Sequence, residues 1–288
     1  MTPTMQRKHA EILLAAVILA RSTSFILNKY TLGRMEPFNL LAVRFLLATL
    51  LLMPMLWNRR NHLSTKVVLK GVILGIALFT MLTAELIGLQ TTSSAVTSFL
   101  ENTAIVLVPL FSALLRRWWP KPAELASAGV AMVGVGLLTL GSGVQFSSGT
   151  AWCLLAAIFY AALIILTDRF SHQDDSLLLG IIQVITLGVV ALAASCLFEM
   201  PRLPDGGGEW GSILALAVVC TGFGFTLQPV AQSRTTAERA GLFCALSPAF
   251  SGILGYLVLR ERLGVQGFVG AILVLISIFF AQILENQK

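Results

Sequence analysis

Long apolar runs separated by short polar breaks follow one another along the whole chain. A helix needs about 20 apolar residues to cross the hydrocarbon core of a bilayer, and each run has about that length. The pattern therefore predicts an all-α integral membrane protein with ten transmembrane helices. The ten runs cover residues 10–29, 37–57, 67–90, 94–115, 122–142, 149–169, 176–198, 210–232, 237–259 and 264–284.

Two distant segments share a local sequence. The segment 107–112 reads LVPLFS and the segment 246–251 reads LSPAFS, at an offset of 139 residues, nearly half of the chain. This echo predicts two five-helix repeats, residues 1–143 and residues 144–288. Because five is an odd number, the second repeat must enter the membrane from the opposite side. The expected architecture is therefore an inverted-topology repeat, which many transporters use.

The composition agrees with a chain that has the bilayer as its solvent. Hydrophobic residues make up 56% of the chain and charged residues 12%, against about 25% charged residues in soluble domains. The net charge of +6 is explained by cations at helix ends, so no nucleic-acid partner is expected. Most of the 20 Lys and Arg residues lie on the side of the N-terminus, which predicts a multi-pass protein of the cell (inner) membrane with both termini in the cytoplasm.

Four ionisable residues lie inside the apolar runs, where each costs about 2.5–3.5 kcal/mol or more. Arg21 is near the middle of the first run. Arg44, Glu85 and Glu101 share one layer that lies closer to the membrane surface opposite the N-terminus. We expect Arg44 to pair directly with one of the two glutamates, since an unpaired arginine at that depth is costly. Two alternatives are a salt bridge that only fixes helix packing, and a Glu85 side chain that reaches the membrane surface.

The excess of polar groups over one ion pair predicts a polar cavity that binds substrate. The first half supplies the charges, and the second half offers only neutral polar groups at similar depth. Pro109 and Pro248 each remove a helical hydrogen bond and are expected hinges. The expected substrate-binding residues are Arg21, Ser24, Glu85, Glu101, Asn102, Tyr160, Gln183 and Gln228, with Arg44, Glu85 and Glu101 as a charge-pairing and coupling group.

The four cysteines all lie in apolar runs, without a CxxC spacing, and the three histidines lie at run ends or in loops. The cysteines are expected to be small buried side chains. Neither a disulfide framework, a metal site nor a cofactor is expected.

Short motifs in matching order give the chain a family resemblance. Arg44-Phe45-Leu46 followed by Ala48, and Pro248 followed by Leu259-Arg260-Glu261-Arg262-Leu263, are similar to motifs of the EamA-type drug/metabolite transporter (DMT) superfamily. Residues 21–25, RSTSF, occupy the place of its Trp-Gly-Ser-Ser-Phe motif, with Arg21 and Ser22 replacing Trp-Gly. The resemblance covers essentially the whole chain. It implies a central cavity between the two halves and the export or exchange of small metabolites.

The expected function is secondary transport of a small polar or amphipathic metabolite, with an amino acid as a candidate, by alternating access. Arg21 would attract a carboxylate, and Glu101 or Glu85 would bind an ammonium group or a proton. The expected partners are the small-molecule substrate, the lipid bilayer and coupling protons, for a monomer or weak homodimer. Three alternatives stay open: an intramembrane enzyme with Glu85 and Glu101 as an acid/base pair, a lipid-type flippase, and a membrane receptor without transport activity.

Overall fold

The computed structural model describes residues 3–92, 94–117, 119, 122–139, 148–248, 250, 269–270, 272–273 and 276–277. Within these residues the regular secondary structure is helical throughout. Most of the predicted run 264–284, and run 237–259 beyond Pro248 except Phe250, lie outside the described residues.

The described residues of the first half form seven α-helices and one short 3₁₀ turn. Their bounds are α1 Pro3–Ser22, α2 Ser24–Leu32, α3 Pro37–Asn58, the turn Arg60–His62, α4 Thr65–Thr91, α5 Ser94–Glu101, α6 Ala104–Arg116 and α7 Pro122–Thr139. Local sequence sets several ends: a proline occupies the first turn of α3, and the Ser64 side chain accepts from Val67 N at the start of α4.

The second half begins with two long helices and continues through a segment of wider helical winding. Its described elements are α8 Ser148–Ser171, α9 Ser176–Phe198, α10 Gly206–Ala215, a π-helical segment Leu216–Phe225, α11 Thr226–Gln232 and α12 Ala237–Phe243. In the π-segment the Thr226 N–H bonds Thr221 O, five residues back. Asp175 and Thr236 cap the N-termini of α9 and α12 with their side chains.

Among the described residues, seven helical stretches are long and apolar enough to cross a membrane. They match seven of the ten predicted runs closely. Two of these runs, the first and the fourth, were predicted as single helices and are interrupted near their middle. The seven stretches are His9–Leu32, Pro37–Asn58, Thr65–Thr91, Val96–Leu115, Ser148–Ser171, Ser176–Phe198 and Gly206–Gln232.

Contacts between loops define two opposite faces of the helix bundle. We call face 1 the side of residues 33–36 and 199–205, where Arg202 donates to Arg34 O and Phe38 N donates to Glu199. We call face 2 the side of residues 59–64 and 172–175, where Arg59 pairs with Asp175 at 2.7 Å.

The first spans of the two halves run in opposite directions between these faces. Glu11, in the first turns of α1, pairs at 2.7 Å with Arg239 at the start of α12 on face 2, and α1 and α2 continue to face 1. Helix α8 starts at face 1, where Gly149 lies against Thr91 and Thr92, and ends at face 2.

The core of the bundle is built where α4 packs on α8 and α9, and α3 packs on α9. Close approach depends on small residues: a Cβ on Gly88 of α4 would lie 2.5 Å from the Cys153 sulfur of α8 and 2.9 Å from Gly149 O. Helices of the two halves are therefore in direct backbone-to-side-chain contact, as in other membrane bundles with small residues at the interface.

Candidate functional site

A small polar cavity lies between helices of the two halves. Its volume is about 20 Å³, and one water molecule needs roughly 10–15 Å³ by the same measure. In this conformation the cavity is too small for a metabolite. Its lining is Ile18, Arg21, Ser24, Phe25, Glu85, Glu101, Asn102, Tyr160, Phe225 and Ser247.

Six of the eight expected substrate-binding residues are in this lining: Arg21, Ser24, Glu85, Glu101, Asn102 and Tyr160. The other two support it from behind. Gln228 accepts a hydrogen bond from Arg21 at 2.7 Å, and Gln183 donates to Phe225 O at 2.6 Å. Gln183 and Gln228 therefore lie outside this lining, bonded to Phe225 and Arg21, and their expected contact with substrate stays a prediction.

Arg21 is held by groups from the second half. Its Nη1 donates to the Tyr160 hydroxyl at 2.8 Å and to Gln228 Oε1 at 2.7 Å. Its guanidinium lies 4.1 Å from the Phe225 ring centroid, a distance that allows a cation–π interaction. The Arg21 side chain passes so close to the π-segment that a Cβ on Gly224 would lie 2.7 Å from Arg21 Cγ.

Arg44 is fully buried beside the cavity but is not in its lining. Its Nε donates to the Thr221 hydroxyl at 2.8 Å and its Nη1 donates to Asn28 Oδ1 at 3.3 Å. Among the ion pairs of the described residues, none joins Arg44 to a carboxylate. The expected direct pair between Arg44 and a glutamate is therefore wrong, because a neutral side chain stands between them.

That side chain is Asn28 of α2. While its oxygen accepts from Arg44, its Nδ2 donates to Glu85 Oε1 at 3.4 Å. The amide is completely buried, and both of its polar ends are matched to ionisable partners. Arg44, Asn28 and Glu85 therefore form a chain of hydrogen bonds across three helices.

Glu85 and Glu101 face each other in the cavity. Glu85 is 2% exposed and Glu101 is 3% exposed, and both carboxyl groups line the same small cavity. The alternative in which Glu85 reaches the membrane surface is thus wrong. Glu101 Oε2 accepts no hydrogen bond from an amide, hydroxyl or basic group of the described residues.

The fourth span is interrupted at the cavity. Helix α5 ends at Glu101 and α6 begins at Ala104, and the intervening turn is tightened by a bond from Thr103 N to Leu100 O. Asn102 Nδ2 donates back to Ser98 O at 2.6 Å, while Asn102 Oδ1 is buried without a partner among the described residues. Broken helices at this depth are tolerated where they line a cavity.

The first span is interrupted as well. Helix α1 ends at Ser22 and α2 begins at Ser24, directly after Arg21. The hydroxyls of Ser22 and Thr23 donate to Leu19 O and Ala20 O at the end of α1. These side chains satisfy carbonyls that a continuous helix would pair with backbone N–H groups.

The second half contributes aromatic and neutral polar groups to the opposite wall. The Tyr160 hydroxyl, which accepts from Arg21, lies 3.1 Å from the Cys244 sulfur, and that thiol donates to Ala240 O. At Cys244 and Ala245 the backbone N–H groups bond carbonyls three residues back instead of four, just before Ser247 and Pro248. The charges of the site thus come from the first half, as expected.

The two prolines lie near these interruptions but do not coincide with them. Pro109 is inside the continuous helix α6, while the break in the same span is at Asn102 and Thr103. Pro248 follows the turn at Cys244 and Ala245, where its ring excludes the carbonyl four residues earlier from a helical bond. Bending at Pro109 and Pro248 themselves stays an expectation.

Three residues of the candidate site were not predicted from the sequence: Asn28, Thr221 and Phe225. Asn28 carries a usable signal, because Arg21, Ser24 and Asn28 have the i, i+3, i+7 spacing of one helix face. Thr221 and Phe225 carry no such signal, since their positions depend on the winding of the π-segment. Wide turns of this kind are often found at functional sites.

Outside the membrane-spanning stretches, Asp175 is a well-anchored charge on face 2. It accepts from Leu177 N at 3.0 Å and Leu178 N at 3.2 Å and pairs with Arg59. Partial burial opposes ionisation, but the backbone N–H of Leu178 and the Arg59 guanidinium outweigh it and lower the pKa of Asp175. Asp175 therefore connects the first half to the start of α9 as a carboxylate.

Two proteins with sequences similar to this chain are both described as transporters. The chain is 26% identical over 286 residues to an uncharacterized transporter of Archaeoglobus fulgidus, covering 97% of this chain and 87% of that protein. It is 25% identical over 296 residues to the uncharacterized transporter YetK of Bacillus subtilis, covering 96% of this chain and 88% of that protein.

One solved crystal structure of a protein has the same fold, with a TM-score of 0.80 at 20% identity, over 97% of this chain and 98% of that chain. The EamA-like transporter family model matches residues 9–140 and again residues 147–282. Together with the apolar helices, these matches show that the chain is a multi-pass membrane transporter and belongs to the EamA-like transporter family.

Proposed function

We propose that this protein is a secondary transporter that moves a small polar or amphipathic metabolite, with amino acids as the first class to test, by alternating access in export or exchange. The observation that carries the proposal is one cavity between the two halves that holds Arg21 together with the Glu85 and Glu101 carboxyl groups. A membrane protein keeps such buried charges at a cost, and they mark substrate and ion pathways.

The polar groups of the cavity fit a ligand that carries both signs of charge. Arg21 Nε is buried without a partner among the described residues, as are Glu101 Oε2 and Asn102 Oδ1. A carboxylate supplies an acceptor for the guanidinium, and an ammonium group supplies donors for the two oxygens. The Phe25 and Phe225 rings leave room for an apolar side chain only if the surrounding helices move apart.

The architecture behind this function is ten transmembrane helices in two inverted repeats, residues 1–143 and residues 144–288. The two separate family matches and the opposite directions of the first spans support it. Face 2 carries Arg59, Arg60, Lys66 and Lys70. By the positive-inside rule it is the cytoplasmic face of a cell (inner) membrane, with both termini on that side.

Protons are the coupling ion in this proposal. Two carboxyl groups buried in one small cavity do not both ionise readily, because like charges repel strongly away from water. Release of a proton from the Glu85–Glu101 pair would change the charge of the cavity by one as substrate enters or leaves. An imposed pH gradient should therefore drive transport by the wild type and not by Glu101→Gln; equal responses by both would rule out this coupling.

The test of substrate transport is counterflow of labelled amino acids into liposomes that contain the purified protein. The Arg21→Ala variant should lose about tenfold or more of the exchange rate, because one charge-assisted hydrogen bond contributes about 1.5–3 kcal/mol. The control is Arg60→Ala, which removes an exposed arginine and should exchange like the wild type. Equal exchange by Arg21→Ala and the wild type would refute the role of Arg21.

A further inference from the structure

The hydrogen-bond chain Arg44–Asn28–Glu85 contains a feature that the proposed transport function does not by itself require. A fully buried arginine would gain most from a direct bidentate pair with a carboxylate. Glu85 is close enough that one amide spans the gap, with bonds of 3.3 Å to Arg44 and 3.4 Å to Glu85. The fold instead holds the two charges apart by one neutral side chain.

We propose that Asn28 is a positioning residue that keeps Arg44 from locking Glu85 as a permanent carboxylate, and so leaves the Glu85–Glu101 pair able to take up and release a proton during transport. This inference rests on the proposed function and concerns its regulation by pH. It assigns to Arg44 the role of a fixed positive charge near the pair, outside the substrate cavity.

The anchoring of Arg44 on its far side supports this reading. Arg44 Nε is bound to Thr221 at 2.8 Å, a bond shorter than the one to Asn28. Its guanidinium also lies 5.7 Å from the Phe225 ring centroid. These contacts come from the π-segment of the second half, so Arg44 is retained away from Glu85 by a different part of the chain.

Asn28 is suited to this position by its chemistry. An amide presents an acceptor at one end and donors at the other, and here the acceptor faces the guanidinium and a donor faces the carboxyl group. An aspartate in its place would accept from Arg44 and present a third negative group to Glu85. Two properties of residue 28 therefore matter: its amide spans the gap between Arg44 and Glu85, and its neutral charge adds no negative group beside the glutamates.

Other titratable groups surround the Glu85–Glu101 pair, and the effect of Asn28 adds to theirs. They come from α1, α3, α8, the π-segment and the turn after α12. They are Arg21, Arg44, Cys153, Tyr160, Cys220 and Cys244.

The experiment compares Asn28→Asp with Asn61→Asp, which makes the same chemical change at an exposed position. The pH dependence of exchange is recorded in proteoliposomes with equal pH on both sides. Asn28→Asp should move the midpoint of the profile to higher pH by about one pH unit or more, because an added negative group holds the proton on the glutamate pair. Asn61→Asp should keep the wild-type midpoint. A uniform loss of rate by Asn28→Asp at every pH, with an unchanged midpoint, would overturn the proposal in favour of a merely structural role.

A second readout needs no transport and separates the two proposals. The infrared band of a protonated carboxyl group is recorded on the purified wild type across pH, with Glu85→Gln to assign it. The band should persist to higher pH in Asn28→Asp, and in the wild type it should be present near neutral pH. A wild type that lacks the band would overturn the role of Asn28 even if amino acids are exchanged. A wild type that shows the band and its shift without exchanging amino acids would refute the substrate class alone. If Asn28→Asp does not fold, the wild-type band decides.

Discussion

Gly224 of the π-segment should be essential for the placement of Arg21. A Cβ at residue 224 would lie 2.7 Å from Arg21 Cγ, whereas carbon atoms in contact are about 3.5–4.0 Å apart. Gly224→Ala therefore forces a displacement of roughly 0.8 Å or more. Arg21 has little freedom to give way, because its hydrogen bonds of 2.8 Å and 2.7 Å exceed the usual limit near 3.2 Å after a few tenths of an ångström.

The expected cost is that of overpacking a core, about 1–3 kcal/mol. Gly211→Ala is the matched control, since it lies in the same apolar span and its Cβ would meet no atom within 4 Å. That change should be neutral or gain up to about 1 kcal/mol from helix propensity. Thermal unfolding in detergent should show Gly224→Ala melting lower than wild type by on the order of 2–4 °C for each kcal/mol, with amino-acid exchange reduced as Arg21 shifts.

A double-mutant cycle decides whether the cause is the clash. Arg21→Ala removes the Cγ atom that the new methyl group would meet, so Gly224→Ala should cost little or nothing in that background. If Gly224→Ala destabilises the protein equally with and without Arg21, the loss comes from the backbone of the π-segment and the reasoning from Arg21 is refuted. A Gly224→Ala protein with wild-type melting and exchange would refute it as well.

Two further predictions concern helix ends outside the bilayer. Asp175→Ala should lower the free energy of unfolding by about 1 kcal/mol at pH 7 through loss of the α9 cap. Because folding lowers the pKa of Asp175, this difference is present above the unfolded pKa near 3.9 and should vanish as pH falls through the folded pKa. Equal melting of wild type and variant at pH 7 would contradict the prediction. Glu199→Ala should also cost about 1 kcal/mol, since Glu199 accepts from Phe38 N at 2.9 Å and Asn39 N at 2.7 Å at the start of α3, whereas Glu36→Ala, which removes a side chain that makes no cap bond there, should melt like wild type.

The apolar pattern predicted the positions of the long helices well. The run 37–57 corresponds to Pro37–Asn58 and the run 176–198 to Ser176–Phe198. The local sequence determines these helix starts, through a proline in the first turn of α3 and the Asp175 cap of α9. Bilayer thickness sets the length between such signals, so pattern and length suffice.

The same pattern could not reveal the interruptions within the first and fourth spans. Thr23 and the pair Asn102–Thr103 lie inside apolar runs without a glycine or proline next to them. They are tolerated because side-chain hydroxyls and a neighbouring cavity satisfy the backbone there. That compensation depends on tertiary contacts, which a single run does not encode.

The candidate site was predicted to the level of depth but not of pairing. Counting residues placed Arg44, Glu85 and Glu101 in one layer, and the two glutamates do meet in one cavity. The partner of Arg44 depends on the rotation of each helix about its axis. A rotation that brings Asn28 between Arg44 and Glu85 replaces an ion pair by a chain of hydrogen bonds.

The break between α5 and α6 changes how the two membrane surfaces are connected. Instead of one rod, two helices of 8 and 13 residues meet at the cavity, about 12 Å and 20 Å long at 1.5 Å per residue, so neither crosses the hydrocarbon core alone. Helices α5 and α6 both pack on α8 and on α7; in addition, α5 contacts α2 and α4, and α6 contacts α12. The two segments therefore share α8 and α7 as a common support, and only their remaining neighbours differ between the two sides of the break.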